Sequence, residues 1–547
     1  MPSLNFKGKA LVQNFHLLVP FHELKPVKAK SLTAKPSLHD NLVVHGDNLK
    51  ALKALLPYYH GKVKCIYIDP PYNTGNEAWV YNDNVNSPMM QEWLGKVVDR
   101  EDLTRHDKWL CMMMPRLKLL REMLTDDGVL FVSVDDNEVH RLRELMDEVF
   151  AEENFVAQFI WQKMDSPSRN ASERVVSAYH EYVLCYARSA ERVQLWKQAR
   201  ESILDAYPLT LPDGRKARRR QLRKNGKNAR REDRPTMWYP LAAPDRKEVW
   251  PVAPEGWEGR WVLKKTEWER RTKDALTEWI KRESGWMPYY IEVAPKDPTA
   301  PWSTLWTDVD QNRQAQAELT AIMGTDAQFQ TPKPSSLVRR MVQIATEEDD
   351  IVLDAFAGSG TTAHAVLAEN DADGGSRSFI LVESGDFADA TTAERVRRVI
   401  KGVPKAKDEA LQKGLGGTFT FVEVGNAMHM ESLLKGNKLP SYEDLAGYVF
   451  YTATGEDFDE RAINKKTGFI GTSAQYDMYL LYEPDLDYLK KTALTLDIAR
   501  GLPKGSGKRR LVFAPTKYLD SIHLEEHRID FCQLPFEIYK AIKPKKA

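Results

Sequence analysis

Two short apolar runs, Val63–Ile68 and Ile351–Phe356, constrain this chain more than any other feature, because the first leads into Asp69 and the second carries Asp354. A near-continuous run of β-branched and apolar residues is the pattern of a strand buried on both faces, which belongs in a parallel sheet covered by helices. Their surroundings alternate accordingly. Leu42-Val43-Val44 is a further short strand, and Gly46-Asp47-Asn48 opens a helix through Leu56. Met113, Leu117, Leu120 and Leu124 recur at helical spacing and predict a helix over Trp109–Leu124. Asp126-Asp127-Gly128 is turn chemistry, Val129–Val134 a strand, and Asn137 the cap of a helix running to Phe150. Strands near Phe155–Trp161 and Glu181–Tyr186 complete this half. A helix near Ser335–Ala345, another after the glycines, and a strand at Phe379–Val382 make up the second. Strands alternating with helices predict a three-layer α/β sheet.

At 547 residues the chain is long enough for three or four domains. Met1 to Ser37 reads as an irregular extension, and from about Gly425 the pattern changes. There Tyr448–Tyr451, Tyr476–Tyr482 and Leu511–Phe513 read as strands of a separate small α+β domain. No run of 18 apolar residues appears, and the first residues make a poor signal peptide, so a cytoplasmic protein is expected. Cys65, Cys111, Cys185 and Cys532 are scattered, which excludes a disulfide framework and a cysteine-rich zinc site.

Formal charge sums to zero, yet residues 190–302 hold 25 Lys and Arg against 17 Asp and Glu. Within them the stretch Arg215–Arg234 carries eleven basic residues, including Arg218, Arg219, Arg220, Arg223, Lys224, Arg230 and Arg231. Such a run can neutralise phosphates and release counterions. It can equally be a solvated basic loop without a partner. Nine of the fourteen tryptophans fall in the same region. Most of them are expected to form a small core, because a tryptophan removes a large apolar area from water.

Two motifs stand at strand ends. Asp69-Pro70-Pro71-Tyr72 closes the first run, where ligands of open α/β sheets bind. Two prolines remove two backbone donors and stiffen the loop. Carbonyl oxygens, a carboxylate and an aromatic face remain, a set suited to a planar amine; a tight turn capped by Asp69 is the alternative. The second motif, Asp354-Ala-Phe356-Ala-Gly358-Ser-Gly360-Thr361-Thr362, is a strand, a glycine turn and a helix start, with Glu383 ending the next strand. Glycines let the backbone approach a ligand, and a helix N-terminus offers N–H groups to an anion. By itself this motif fits a nicotinamide dehydrogenase, an S-adenosylmethionine enzyme or a structural turn. The pair favours methyl transfer to an amine, since hydride transfer has no evident use for an amine cradle.

With both motifs in view, the chain resembles the DNA amino-methyltransferases of the β group, in which the catalytic motif precedes the cofactor loop. More narrowly it is similar to the modification (Mod) subunits of type III restriction–modification systems. The residues carrying this are Asp69–Gly75 with Tyr81-Asn82-Asp83, Trp109–Leu117, Asp127–His140, His180–Tyr182, Ser303–Asp308, Lys333–Leu337 and Asp354–Thr362. The resemblance implies a Rossmann-like S-adenosylmethionine-dependent sheet in two halves, residues 38–189 and 303–424. Between them a target-recognition domain is implied at 190–302, and a dimerisation or partner domain at 425–547. It further implies that Asp69 and the Pro70 carbonyl accept from the N6 amine of a flipped adenine stacked on Tyr72. Phe356, Gly358, Gly360, Thr361 and Thr362 would hold the methionine part of the cofactor, with Asp354 at the head of their loop. Glu383 would hold the ribose and Asp47 the adenine, while Lys333 and Pro334 match the segment preceding the loop.

Duplex DNA is the implied substrate, a homodimer the implied assembly, and the nucleoid of a bacterial or archaeal cell the implied location. Adenine is preferred to cytosine N4 on the aspartate of the first motif. A DNA-recognition subunit of a defence complex and a nicotinamide oxidoreductase are the competing classes. No Walker A loop is present; Gly505-Ser-Gly507-Lys508-Arg509 lacks both spacing and hydroxyl. DNA cleavage would therefore require a separate restriction (Res) subunit.

Overall fold

The computed structural model describes residues 4–74, 105–166, 176–324, 329, 331–404, 406, 408–427, 439–503 and 506–534. Gly75 and Tyr81-Asn82-Asp83 lie outside the described residues. The chain divides into two compact units, Met1–Trp196 with Ser303–Ala547, and Lys197–Trp302.

Ten strands of the first unit form one sheet. They are β1 (His22–Pro26), β2 (Leu42–His45), β3 (Val63–Ile68), β4 (Leu124–Val134), β5 (Phe155–Gln162), β6 (His180–Ala187), β7 (Leu305–Trp306), β8 (Ile351–Asp354), β9 (Ser378–Glu383) and β10 (Thr420–Ala427). Their spatial order is β1-β10-β2-β9-β8-β3-β4-β6-β5-β7. The six strands from β10 to β4 are mutually parallel, and β6 is antiparallel to both β4 and β5. Ile66 and Ile68 of β3 join one large core cluster, while the alternating Cys65 and Tyr67 are equally buried on the other face. Burial on both faces is why β3 reads as an unbroken apolar run.

The principal helices are α1 (Asn48–Tyr59), α2 (Arg105–Met123), α3 (Val139–Phe150), α4 (Asn312–Met323), α5 (Ser335–Ala345), α6 (Thr361–Asp373), α7 (Glu394–Lys401) and α8 (Tyr442–Thr454). Asp47 caps α1 by accepting from Lys50 N–H at 3.1 Å. Among the described residues no helix is long and apolar enough to cross a membrane.

Four local expectations are corrected. The N-terminal segment is not wholly irregular, since it supplies β1, which pairs antiparallel with β10. Asp126-Asp127-Gly128 does not end an element. It is an irregularity inside β4, where the register against β3 jumps from Val63–Leu124 to Cys65–Val129. Asn137 is not the cap of α3; its N–H and side chain both bond the Asp135 carboxylate in a local turn, and the helix starts after Glu138.

The fourth correction concerns Tyr448–Tyr451, which is helical. β-propensity of the aromatics is overridden because Leu445, Ala446, Val449 and Phe450 fall on one buried helical face. Ser441 caps the helix by accepting from Asp444 N–H at 3.1 Å, and Gly455 ends it at φ 68°. Beyond α8, β11 (Phe469–Thr472), β12 (Tyr476–Leu480), β13 (Arg509–Ala514) and β14 (Ile529–Gln533) form a second sheet in chain order, the last three parallel.

In the second unit, strands Leu209–Thr210, Lys216–Gln221, Gly285–Val293 and Thr277–Arg282 form an antiparallel sheet. Its core is Leu222, Tyr239, Leu241, Trp261 and Trp268, so part of the tryptophan content is structural.

The capping of α8 is testable. Ser441→Ala should lower the stability of this helix by about 1 kcal/mol, seen as faster amide exchange over residues 442–454; unchanged exchange would exclude the capping role.

Candidate active site

β3 and β8 are hydrogen-bonded neighbours, with Cys65, Ile66 and Tyr67 paired to Val352, Leu353 and Asp354. From β3 the chain passes through α2 to β4 on one side; from β8 it passes through α6 to β9 on the other. This reversal opens a crevice at the carboxyl ends of the two strands, the usual ligand position in such sheets. Both motifs stand at its lip.

Asp69 follows β3. Its carboxylate accepts from Lys333 Nζ at 2.9 and 2.7 Å and from the Tyr72 hydroxyl at 2.8 Å. The Tyr72 hydroxyl also lies 3.0 Å from Glu181 Oε2, and the Lys333 ammonium lies 4.9 Å from the centre of the Tyr72 ring. The loop is braced by Trp109, whose indole N–H donates to the Pro71 carbonyl at 2.6 Å. Asn73, at φ 55°, donates to the buried Glu138 carboxylate at 2.5 Å, and His106 Nδ1 contacts the same oxygen. Asp69 keeps a quarter of its side chain accessible (25%), so it is deep yet reachable.

Glu181 is the site residue that sequence reasoning missed. It is the second residue of the antiparallel β6, where Tyr182 pairs with Val134 at the end of β4, and this brings its carboxylate to the same edge as Asp69. Its Oε1 lies 3.2 Å from Lys163 and its Oε2 3.5 Å from Lys333. Two carboxylates and two ammoniums therefore meet beside Tyr72. Burial pushes the Asp69 carboxyl up against the pull of Lys333. Burial likewise opposes the charges on Glu181 and Lys333, but their partners outweigh it, holding the Glu181 carboxyl below and the Lys333 ammonium above their ordinary values.

The second motif turns on Gly358 (φ 52°) and Gly360 (φ 80°), a backbone that disfavours side chains. A Cβ on Gly358 would come within 2.9 Å of the Phe329 ring. Asp354 secures the loop by accepting from Phe356 N–H at 2.9 Å and from the Thr362 hydroxyl at 2.5 Å. Glu383, almost fully buried, accepts from Gly358 N–H at 2.7 Å and Gly385 N–H at 2.8 Å. Asp47 stands on the neighbouring strand tip, since His45 pairs with Glu383; Arg116 lies 3.6 Å from it.

Lys333 and Pro334 join the two motifs: the Lys333 carbonyl accepts from Thr361 Oγ1 at 3.2 Å, and Pro334 begins α5. Arg395 was also missed. Fully buried on α7 after a π-turn at Asp389–Ala393, it donates to Ser359 Oγ at 3.0 Å, Thr361 Oγ1 at 2.8 Å and Glu318 at 3.0 Å. Thr392 of that turn donates to the Gly358 carbonyl at 2.6 Å.

The basic run lies in the second unit and is more ordered than a solvated loop. Arg218 and Arg220 pair with Glu292, Arg219 with Glu278, and Arg231 with Glu258. Arg223 donates to the Val252 carbonyl at 2.7 Å, and Arg230 stacks over Trp257 at 5.1 Å. Lys224 and Lys227 make no ion pair among the described residues.

Residues 63–388 match a family model described as DNA methylase. The chain is similar to the type III restriction-modification enzyme EcoPI Mod subunit of Escherichia phage P1, with 30% identity over 75% of this chain and 70% of that subunit. The StyLTI Mod subunit of Salmonella typhimurium is 32% identical, over 65% of this chain and 54% of its own length. The type II methyltransferase M.KpnI of Klebsiella pneumoniae is 31% identical, over 67% of this chain and 86% of its own length.

Burial, assisted by Asp69 and Glu383, pushes the Asp354 carboxyl up to about 7 against the hydrogen bonds from Thr362 and Phe356. A folded value above the unfolded one means stability that is complete at low pH and is lost as pH rises through about 7. At about 1.4 kcal/mol per pKa unit, the loss amounts to roughly 4 kcal/mol at most. Asp354→Asn keeps an acceptor for the Phe356 N–H but does not ionise. Its melting temperature should fall less than the wild type's between pH 5 and 8, and parallel slopes would contradict the assignment.

Proposed function

We propose, from the premise that this chain belongs to the DNA methylase family, that it is a site-specific adenine-N6 methyltransferase acting on duplex DNA with S-adenosylmethionine. Its similarity to Mod subunits supports a role as the modification and specificity subunit of a type III or related restriction system, with cleavage left to a separate Res partner. The observation that carries the reading is the pairing of β3 with β8, which sets Asp69 and the glycine loop side by side.

The residues present fit this cofactor. The left-handed turn at Gly358 and Gly360 keeps side chains off the loop, Glu383 ends the adjacent β9 as a carboxylate that would face vicinal hydroxyls, and the start of α6 offers N–H groups to a carboxylate. Phe356 and Thr361 would line the methionine end and Asp47 would reach the adenine, whereas Thr362, fully buried with its hydroxyl on Asp354, braces the loop from within. When bound, S-adenosylmethionine supplies an electrophilic methyl on a sulfonium whose sulfur leaves as a neutral thioether.

The protein's own part is recognition and positioning. A target base inside the duplex stack is out of reach, so the adenine must be flipped out, with Tyr72 offering a face to stack on. Asp69 and the Pro70 carbonyl would accept the two amine hydrogens; the Pro71 carbonyl is already taken by Trp109. Accepting both hydrogens favours a tetrahedral nitrogen with its lone pair free of the ring, a matter of orientation and electrostatics. Lys333 works against the effect of burial and favours the ionised form of Asp69, the form that is purely an acceptor.

Single-molecule sequencing of DNA from cells expressing the chain should reveal N6-methyladenine at one recognition sequence. Asp69→Ala and Tyr72→Ala should each lower methyl incorporation by about a hundredfold or more while circular dichroism and calorimetric cofactor binding persist. Full activity in either variant would refute the assignment. Replacing Lys224 and Lys227 by Gln should weaken duplex binding and flatten its salt dependence by about 0.9 in log–log slope for each phosphate no longer neutralised. An unchanged slope would make this segment a bystander.

A further inference from the structure

We infer that the Lys333 ammonium is a resident stand-in for the target amine, and that Glu181 is the acceptor onto which it moves when a base enters. The inference rests on the reading that Asp69 receives the amine nitrogen.

Lys333 Nζ is bound where such an amine would be bound. It donates to both Asp69 oxygens, at 2.9 and 2.7 Å, and lies 4.9 Å from the centre of the ring on which the base would stack. A nitrogen approaching Asp69 must therefore displace a nitrogen already there. The main chain of Lys333 is tied to the cofactor loop through its carbonyl bond from Thr361 at 3.2 Å, and Pro334 follows it. Movement is thus confined to the side chain, four flexible methylenes ending in a compact charge.

Glu181 supplies a destination. Its Oε2 lies 3.5 Å from Lys333 Nζ, so a small rotation of the terminal bonds converts an ion pair into a hydrogen bond. Lys163 holds the other oxygen at 3.2 Å, and the Tyr72 hydroxyl bridges the two carboxylates at 2.8 and 3.0 Å. The groups facing Asp69 are Lys333, Glu181, Tyr72 and Tyr67, with Asp354 from β8 and Lys163 beyond Glu181. Whichever acid Lys333 touches, two carboxylates stand within reach of its ammonium, so the displaced ammonium keeps a carboxylate partner. A lone Asp–Lys pair would lack that property, because the displaced ammonium would be stranded.

Selectivity follows from the same exchange. An incoming amine replaces the N–H bonds that Asp69 gives up. A base presenting a carbonyl oxygen at that point would set acceptor against acceptor, and Lys333 would stay in place. In this scheme Lys333 and Glu181 are positioning residues that screen the base before transfer.

The full-length chain, assayed by steady-state methylation of duplex DNA carrying its own sequenced site, tests the scheme. Glu181→Gln should lower kcat/KM for DNA tenfold or more, leave KM for S-adenosylmethionine within twofold, and be partly rescued in Glu181→Asp. Lys333→Met should lower kcat/KM for DNA tenfold or more and make it rise with pH more steeply than the wild type's, because burial opposes the charge of an Asp69 without its ammonium. A change confined to cofactor KM, or wild-type turnover and pH dependence in these variants, would overturn the inference. Should the variants fold poorly, the wild type bound to DNA with its base flipped decides. Lys333 Nζ must then lie nearer Glu181 than Asp69, and its persistence on Asp69 refutes the exchange. Absence of methyl transfer in the wild type would instead refute the underlying function.

Discussion

The site depends on the hydrogen bonding of β3 to β8, two parallel strands far apart along the chain. Neither strand has a face in water, so each is held by apolar burial as well as by its ladder. Their connections leave in opposite directions, and no helix can cover the gap between the strand ends. The crevice is therefore a product of topology before it is a product of side chains. Once it exists, short loops suffice to equip it: four residues after β3, and a glycine turn after β8.

The crevice then concentrates charge where water is scarce. Asp69, Glu181, Lys163 and Lys333 each carry a desolvation cost that only an opposite neighbour offsets. Two ammoniums offset two carboxylates, which makes a buried ionic cluster tolerable and favours the accepting form of Asp69. A second network, Arg395 with Glu318, Ser359 and Thr361, supports the glycine loop from beneath. The π-turn before α7 adds Thr392 to that support, consistent with such turns marking functional positions. Lys333 belongs to both halves, its side chain on Asp69 and its carbonyl on Thr361, and so couples the Asp69 carboxylate and the glycine loop mechanically.

Local chemistry was legible wherever a motif was contiguous. Asp69–Tyr72, Gly358–Thr362 and the Asp47 cap all announce themselves by residue type at short spacing. Glu181 does not, because a single acid at the start of a strand otherwise reads as a solvated end; it becomes a site residue only through the antiparallel return of β6. Arg395 is hidden for a related reason, since an arginine on an amphipathic helix normally faces water. The aromatic run in α8 misled because β-propensity reflects packing context, and here the context is a helical face. Its true state was nonetheless signalled by Ser441 and Asp444 at capping distance. The basic run shows the converse limit, for its charge is plain in sequence while its pairing with Glu292, Glu278 and Glu258 is not.

By itself, the order of residues determined the α/β class and both strand-end motifs, with the Asp69 motif ahead of the glycine loop. These follow from interactions within a few positions of one another: apolar periodicity, glycine conformations and proline-stiffened turns. Only the tertiary structure decided that Asp69 faces Lys333 and Glu181, which of its basic residues the second unit neutralises internally, and that an N-terminal segment completes the sheet edge. Those outcomes depend on electrostatic and hydrogen-bond partners far apart along the chain. Such partners meet only when burial has fixed the strand order, and no local pattern encodes their distance.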